Sequence, residues 1–111
     1  MTKLALGVVI ALAVLVGEAR ASFMDGNGLY KACASDSYSE QDICLGYIEG
    51  ATDYLEWTRS DRNEKQCVPA DVVLQQIEDV VMVYLRDHPD FRTSLAAALV
   101  ATAITQAWNC D

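Results

Sequence analysis

The stretch from Cys67 to Cys110, CVPADVVLQQIEDVVMVYLRDHPDFRTSLAAALVATAITQAWNC, decides how this chain folds. Two apolar patterns of helical period stand on either side of a single His88-Pro89 break. The first predicts a helix from about Val72 to His88, burying Val73, Ile77, Val80, Val81 and Tyr84 while Glu78, Asp79, Arg86 and Asp87 point outward. A strand over Val80–Leu85 would suit the β-branched residues, but the surrounding period and length argue against it. His88 precedes a proline, is pushed out of the α region, and stops the helix. The second pattern, capped by Thr93 or Ser94, continues to about Trp108, with Leu95, Leu99, Val100, Ala103, Ile104 and Ala107 on its inner face. Its other alanines (Ala96, Ala97, Ala98, Ala101) favour helix and permit close helix approach. Helices joined by so tight a turn run antiparallel, which sets Cys67 at the start of one beside Cys110 at the end of the other.

Working back toward the N-terminus, Ser39 is placed to cap a helix from about Glu40 to Trp57, with Glu40 and Asp42 in its first turn facing the helix dipole. Its apolar stripe reads Ile43, Tyr47, Ile48, Ala51, Leu55. A shorter helix spans about Gly28 to Ala34, capped by Asp25 or Asn27, and the polar run Ser35–Ser39 separates the two. Cys33 ends the short helix and Cys44 opens the next across a short turn. The pairings Cys33–Cys44 and Cys67–Cys110 are therefore favoured over the two alternatives. In the loop-entropy model they contribute about 3 and 4 kcal/mol. The expected fold is all-α: a small four-helix domain stapled by disulfides. Between the second and third helices, Thr58 to Gln66 holds only polar and charged residues and is expected to be an exposed loop.

The first residues set the compartment. Lys3, an apolar run from Leu4 to Val16, and Ala19-Arg20-Ala21 follow the pattern of a cleavable secretory signal over residues 1–21. The run is too short for a spanning helix, which needs roughly 20 residues. The mature domain is expected at residues 22–111, exported from the cytoplasm, without membrane association once the signal is removed. Removing Lys3, Glu18 and Arg20 takes the formal charge from −8 to −9. Nucleic-acid binding is excluded, because phosphate neutralisation needs clustered Lys and Arg. A cationic protein surface is the natural complement, and the alternative reading is that the charge serves only to keep an exported protein soluble. A domain this small has a marginal core, and four cysteines in an oxidising compartment answer that weakness as two disulfides.

No catalytic set is evident, so the chain is not expected to be an enzyme. His88 stands at a helix end, where an imidazole suits the C-terminal dipole better than catalysis. Neighbouring carboxylates such as Glu78-Asp79 and Asp87, Asp90 follow from composition. Asp25-Gly26-Asn27-Gly28 opens like a calcium loop but lacks the remaining ligands. With no Cys-x-x-Cys pair and one histidine, zinc is not supported either, and no cofactor is implied. Trp108 is expected to close the core beside Cys110, and Trp57, bordering the polar run, is the surface candidate.

These motifs together resemble a known family. Phe23-Met24-Asp25-Gly26-Asn27, Cys33, Cys44-Leu45-Gly46-Tyr47-Ile48-Glu49-Gly50, Cys67-Val68-Pro69, His88-Pro89 and Trp108-Asn109-Cys110 are similar, in order and spacing, to the Tai/Rap immunity proteins. These are periplasmic proteins acting against amidase effectors of type VI secretion. Two positions depart from the family pattern. Val73 stands where a capping threonine is common, shifting the cap to Asp71, and Asn109 replaces a proline. The resemblance implies a helical, often dimeric protein that binds a peptidoglycan amidase and occupies its substrate groove. An inhibitor needs a rigid scaffold and an exposed recognition element. The Thr58–Gln66 run fits that part, with Trp57, Arg59, Asp61, Arg62, Glu64 and Lys65 as candidate partner-binding residues. Met82, Val83 and Leu85 suggest a homodimer contact. An alternative function, a small periplasmic acid-stress chaperone, follows from the 15 acidic residues of the mature part, whose protonation would release apolar surface.

Overall fold

A computed structural model describes residues 23–110. The expected signal over residues 1–21 lies outside the described residues. Among the described residues the regular structure is four helices: α1 Gly26–Ala34, α2 Tyr38–Asp61, α3 Leu74–Asp87 and α4 Ala96–Trp108, with one 3-10 turn, Pro89–Phe91, between the last two. Each helix packs against the other three. The shared core holds Leu29 of α1, Cys44 and Ile48 of α2, Val81 and Leu85 of α3, and Val100 and Ile104 of α4, all fully buried. No described helix is long and apolar enough to cross a membrane.

Both expected disulfides are present, Cys33–Cys44 and Cys67–Cys110. The first staples α1 to α2. The second ties the approach to α3 to the end of α4, as the antiparallel arrangement requires.

The helix ends differ from expectation in instructive ways. Asp25 caps α1, its carboxylate accepting the Gly28 N–H at 2.8 Å, so Asn27 is not the cap. Met24 and Asp25 also lie against the start of α4: Ala96 N–H donates to Met24 O and Gly26 N–H to Ser94 O, both at 3.0 Å. A main-chain acceptor thus does the work expected of Thr93 or Ser94, and Leu95 becomes the capping residue. Leu95 and Ala107, placed on the inner face by periodicity, are exposed. Gly26 is fixed by the same approach, since a Cβ there would sit 2.5 Å from Leu99 Cδ1 and 2.8 Å from Arg92 Cα.

Helix α3 starts later than its apolar pattern, with Val73 as cap and exposed rather than buried. A valine offers no acceptor, and Asp71 does not replace it. Half of a capping box remains, in which Gln76 Oε1 accepts the Val73 N–H at 2.9 Å. At the other end His88 is the cap, as expected, with Nδ1 2.9 Å from Tyr84 O and its ring stacked between Tyr84 and Phe91. Arg92 adds a second closure: its Nε donates to Leu85 O at 2.6 Å while the guanidinium lies 3.9 Å over the Tyr30 ring. Helix α4 ends on Asn109 in the left-handed conformation, φ 48°. Proline, fixed near −65°, is incompatible with that backbone, so the asparagine suits the conformation found here.

Candidate functional site

The largest correction concerns α2. It begins before Ser39, at Tyr38, and runs through the polar residues Thr58 to Asp61 instead of stopping at Trp57. Helical geometry then carries Arg59 onto the inner face, one turn beyond Leu55 and two beyond Thr52. There Arg59 is buried, 7% exposed, where an exposed loop residue was expected. Burial of a guanidinium is tolerated only when its donors are satisfied, and here they are. Nε donates to Lys65 O at 2.8 Å, Nη1 lies 3.4 Å from the Glu64 carboxylate, and Nη2 donates to Cys110 O.

The chain turns sharply beyond Asp61. Asn63 is left-handed, φ 56°, and Glu64 N–H returns to Arg59 O at 2.8 Å while Asn63 N–H returns to Ser60 O at 3.0 Å. These are the two reverse bonds of a Schellman motif. The Glu56 carboxylate receives the Cys67 N–H at 2.9 and 3.1 Å. Residues 62–66 are thus held on one side by a helix cap, from beneath by Arg59, and at the far end by Glu56 and the Cys67–Cys110 bridge. Arg62, Glu64 and Lys65 are exposed on this turn, with Arg62 Nε 3.2 Å from Glu64 Oε1. Asp61 is exposed at the end of α2, and an open cleft of about 750 Å³ lies beside Glu64, Lys65, Trp108 and Cys110. Trp108 packs on the core next to Cys110, as expected. Five of the six candidate residues therefore face solvent, and Arg59 is the support beneath them.

Trp57 is 60% exposed and stands 5.7 Å from the Tyr54 ring. Tyr54 lines a second groove, of about 670 Å³, between α2 and α4, and Trp57 stands beside it. Periodicity did not reveal this surface. Of the expected stripe, Ile48 is fully buried and Tyr47, Ala51 and Leu55 pack against the core, but Ile43 is 52% exposed and Cys44 and Thr52 are buried beside Ile48. The legible signal was a second spacing, Ile43, Tyr47, Gly50, Tyr54, Trp57, in alternating steps of four and three. Gly46 and Gly50 are exposed on this side. Each costs a helix about 0.5–1 kcal/mol relative to alanine.

The other clusters of reactive side chains among the described residues are engaged in structural bonds. Cys33, Cys44 and Glu78 come within 4.8 Å of one another, but both sulfurs are spent in a disulfide. All four cysteines are bonded, leaving no thiol nucleophile. His88 is engaged as a cap. Leu85, offered as part of a dimer face, is buried in the core, only 1% exposed, so that face reduces to half-buried Met82 and exposed Val83.

Fold and site together define a disulfide-stapled helical binding domain that presents a clamped charged turn. Residues 25–110 match the family model of the Rap1a immunity proteins, and the chain belongs to that family. No curated protein and no solved structure matches it. Membership makes it an immunity protein for a secreted effector, which is its protein partner.

Proposed function

We propose that the mature protein, residues 22–111, works in the periplasm and neutralises a peptidoglycan amidase delivered by type VI secretion, binding it stoichiometrically and filling its substrate groove with the turn after α2. The observation that supports this is the turn itself. Asp61, Arg62, Glu64 and Lys65 project from a backbone held by Arg59, Glu56 and a disulfide. A pre-ordered turn loses little conformational freedom on binding, so more of its contact energy remains as affinity. Mixed charge on four of five consecutive residues suits specific pairing inside a cleft better than bulk attraction. Trp57, one helical turn before Asp61, supplies an aromatic anchor at the base.

The test is co-purification of oxidised Ser22–Asp111 with candidate amidase effectors, including any encoded beside it, followed by an amidase assay. A stable complex that abolishes activity is the expected result. Replacing Asp61, Arg62 and Lys65 together with serine is expected to weaken inhibition at least about tenfold with the fold intact. Full inhibition by that variant removes the turn from the mechanism.

A further inference from the structure

The second face of α2 has features that, Trp57 at its end apart, the clamped turn does not use. Ile43, Tyr47, Gly50, Tyr54 and Trp57 follow the four-and-three spacing at which one helix packs along another. Among the described residues that seam has no full cover: Ile43, Tyr54 and Trp57 are 52%, 64% and 60% exposed. It opens onto the groove whose other wall is Leu95, Ala97, Ala98 and Ala101, a lining without a single charge. Gly46 and Gly50 sit within it. Neither has positive φ, and a Cβ added to either meets nothing within 4 Å. No turn and no intramolecular approach therefore calls for glycine at these positions. What bare backbone permits here is close approach from outside.

Charge identifies the visitor. Helix α2 carries Glu40, Asp42, Glu49, Asp53, Glu56 and Asp61 against one base, Arg59, which is buried. Asp42, Glu49 and Asp53, at steps of seven and four, share one side of the helix and edge the seam. All three are exposed. A second copy laid antiparallel along the seam would bring two acidic edges together, which like-charge repulsion opposes, and a parallel copy would leave both edges without a basic counterpart.

We infer that the α2–α4 groove is a docking surface for a cationic amphipathic helix of a protein partner. Its apolar ridge lies on Gly46, Gly50, Tyr54 and Ala98, and its Lys or Arg side chains meet Asp42, Glu49 and Asp53. The inference goes beyond the amidase reading and does not depend on it, since it concerns a different face and is tested without any effector.

The experiment is an amide NMR titration of the oxidised mature domain with a designed helical peptide of about 20 residues, some 30 Å long, bearing a leucine–alanine ridge edged by lysines. The same peptide with glutamates in place of the lysines is the control. Shifts confined to residues 43–58 and 95–101, with the lysine peptide bound at least about tenfold more tightly than the glutamate one, are expected. The double variant G46Q/G50Q fills open space and replaces glycine by better helix formers, so its melting temperature stays at or above wild type while its affinity falls at least about tenfold. Lack of discrimination between the peptides, shifts elsewhere, or undiminished binding by G46Q/G50Q would overturn the proposal. A concentration-dependent dimer in sedimentation that G46Q/G50Q abolishes would also overturn it, assigning the groove to a second copy.

Discussion

The guanidinium of Arg59 donates to the main-chain carbonyl of Cys110, joining the last turn of α2 to the end of α4 across 51 residues of sequence. The same side chain holds Lys65 O and approaches Glu64. One buried cation thus fastens the turn of residues 62–66 to the C-terminal bridge.

Arg59→Met keeps most of the apolar stem but strips the donors from Lys65 O and Cys110 O. The expected loss is about 2–3 kcal/mol, because partners of a charged donor are left unpaired. Arg59→Lys should fall between the two. Urea denaturation gives the values, and a loss below about 0.5 kcal/mol for the methionine variant, the range of ordinary surface changes, would deny Arg59 its role as a clamp.

The two disulfides close loops of different length, with sequence separations of 43 and 11. Removing Cys67–Cys110 by paired serine substitution is expected to cost about 4 kcal/mol, and removing Cys33–Cys44 about 3 kcal/mol. Thermal melts of the two double variants check the order. A reversed order would show that enthalpic effects at Cys44, fully buried in the core, outweigh loop closure.

Val73 occupies a capping position with no side-chain acceptor, opposite a Gln76 that already makes its half of the box. Val73→Thr completes the exchange at an exposed site and should raise stability by about 0.5–1 kcal/mol. No gain in a denaturant midpoint would mean that the threonine hydroxyl fails to reach the Gln76 N–H.

Two glycines are expected to respond to alanine with opposite signs. Gly26→Ala drives a methyl into Leu99 and the Arg92 backbone, with an expected loss of about 1–3 kcal/mol. Gly50→Ala enters open space on a helix and should gain about 0.5–1 kcal/mol. Paired calorimetric melts decide the matter, and a destabilised Gly50→Ala would point to an intramolecular constraint at that position.

Much of the fold was legible because helical periodicity and stop signals are local. The His88-Pro89 break, the Asp25 cap, the inward faces of α3 at Ile77, Val81 and Tyr84 and of α4 at Leu99, Val100 and Ile104, and both disulfide pairings could be read from the residues in order. The site was less legible. Polar residues from Thr58 onward read as loop, since polarity marks exposure on average and carries no record of a buried acceptor waiting for a guanidinium.

By itself the sequence determined the number of helices, their antiparallel closure and the cysteine frame. Each of these follows from residue spacing along one chain. Only the tertiary structure decided that Arg59 belongs inside, that Leu95 and Val73 belong outside, and that α2 has two apolar faces of which one is left open. Those outcomes depend on what lies across from a side chain. The carbonyls of Lys65 and Cys110 lie opposite Arg59, the Met24 carbonyl takes the Ala96 N–H beside an exposed Leu95, and nothing among the described residues buries Tyr54 and Trp57.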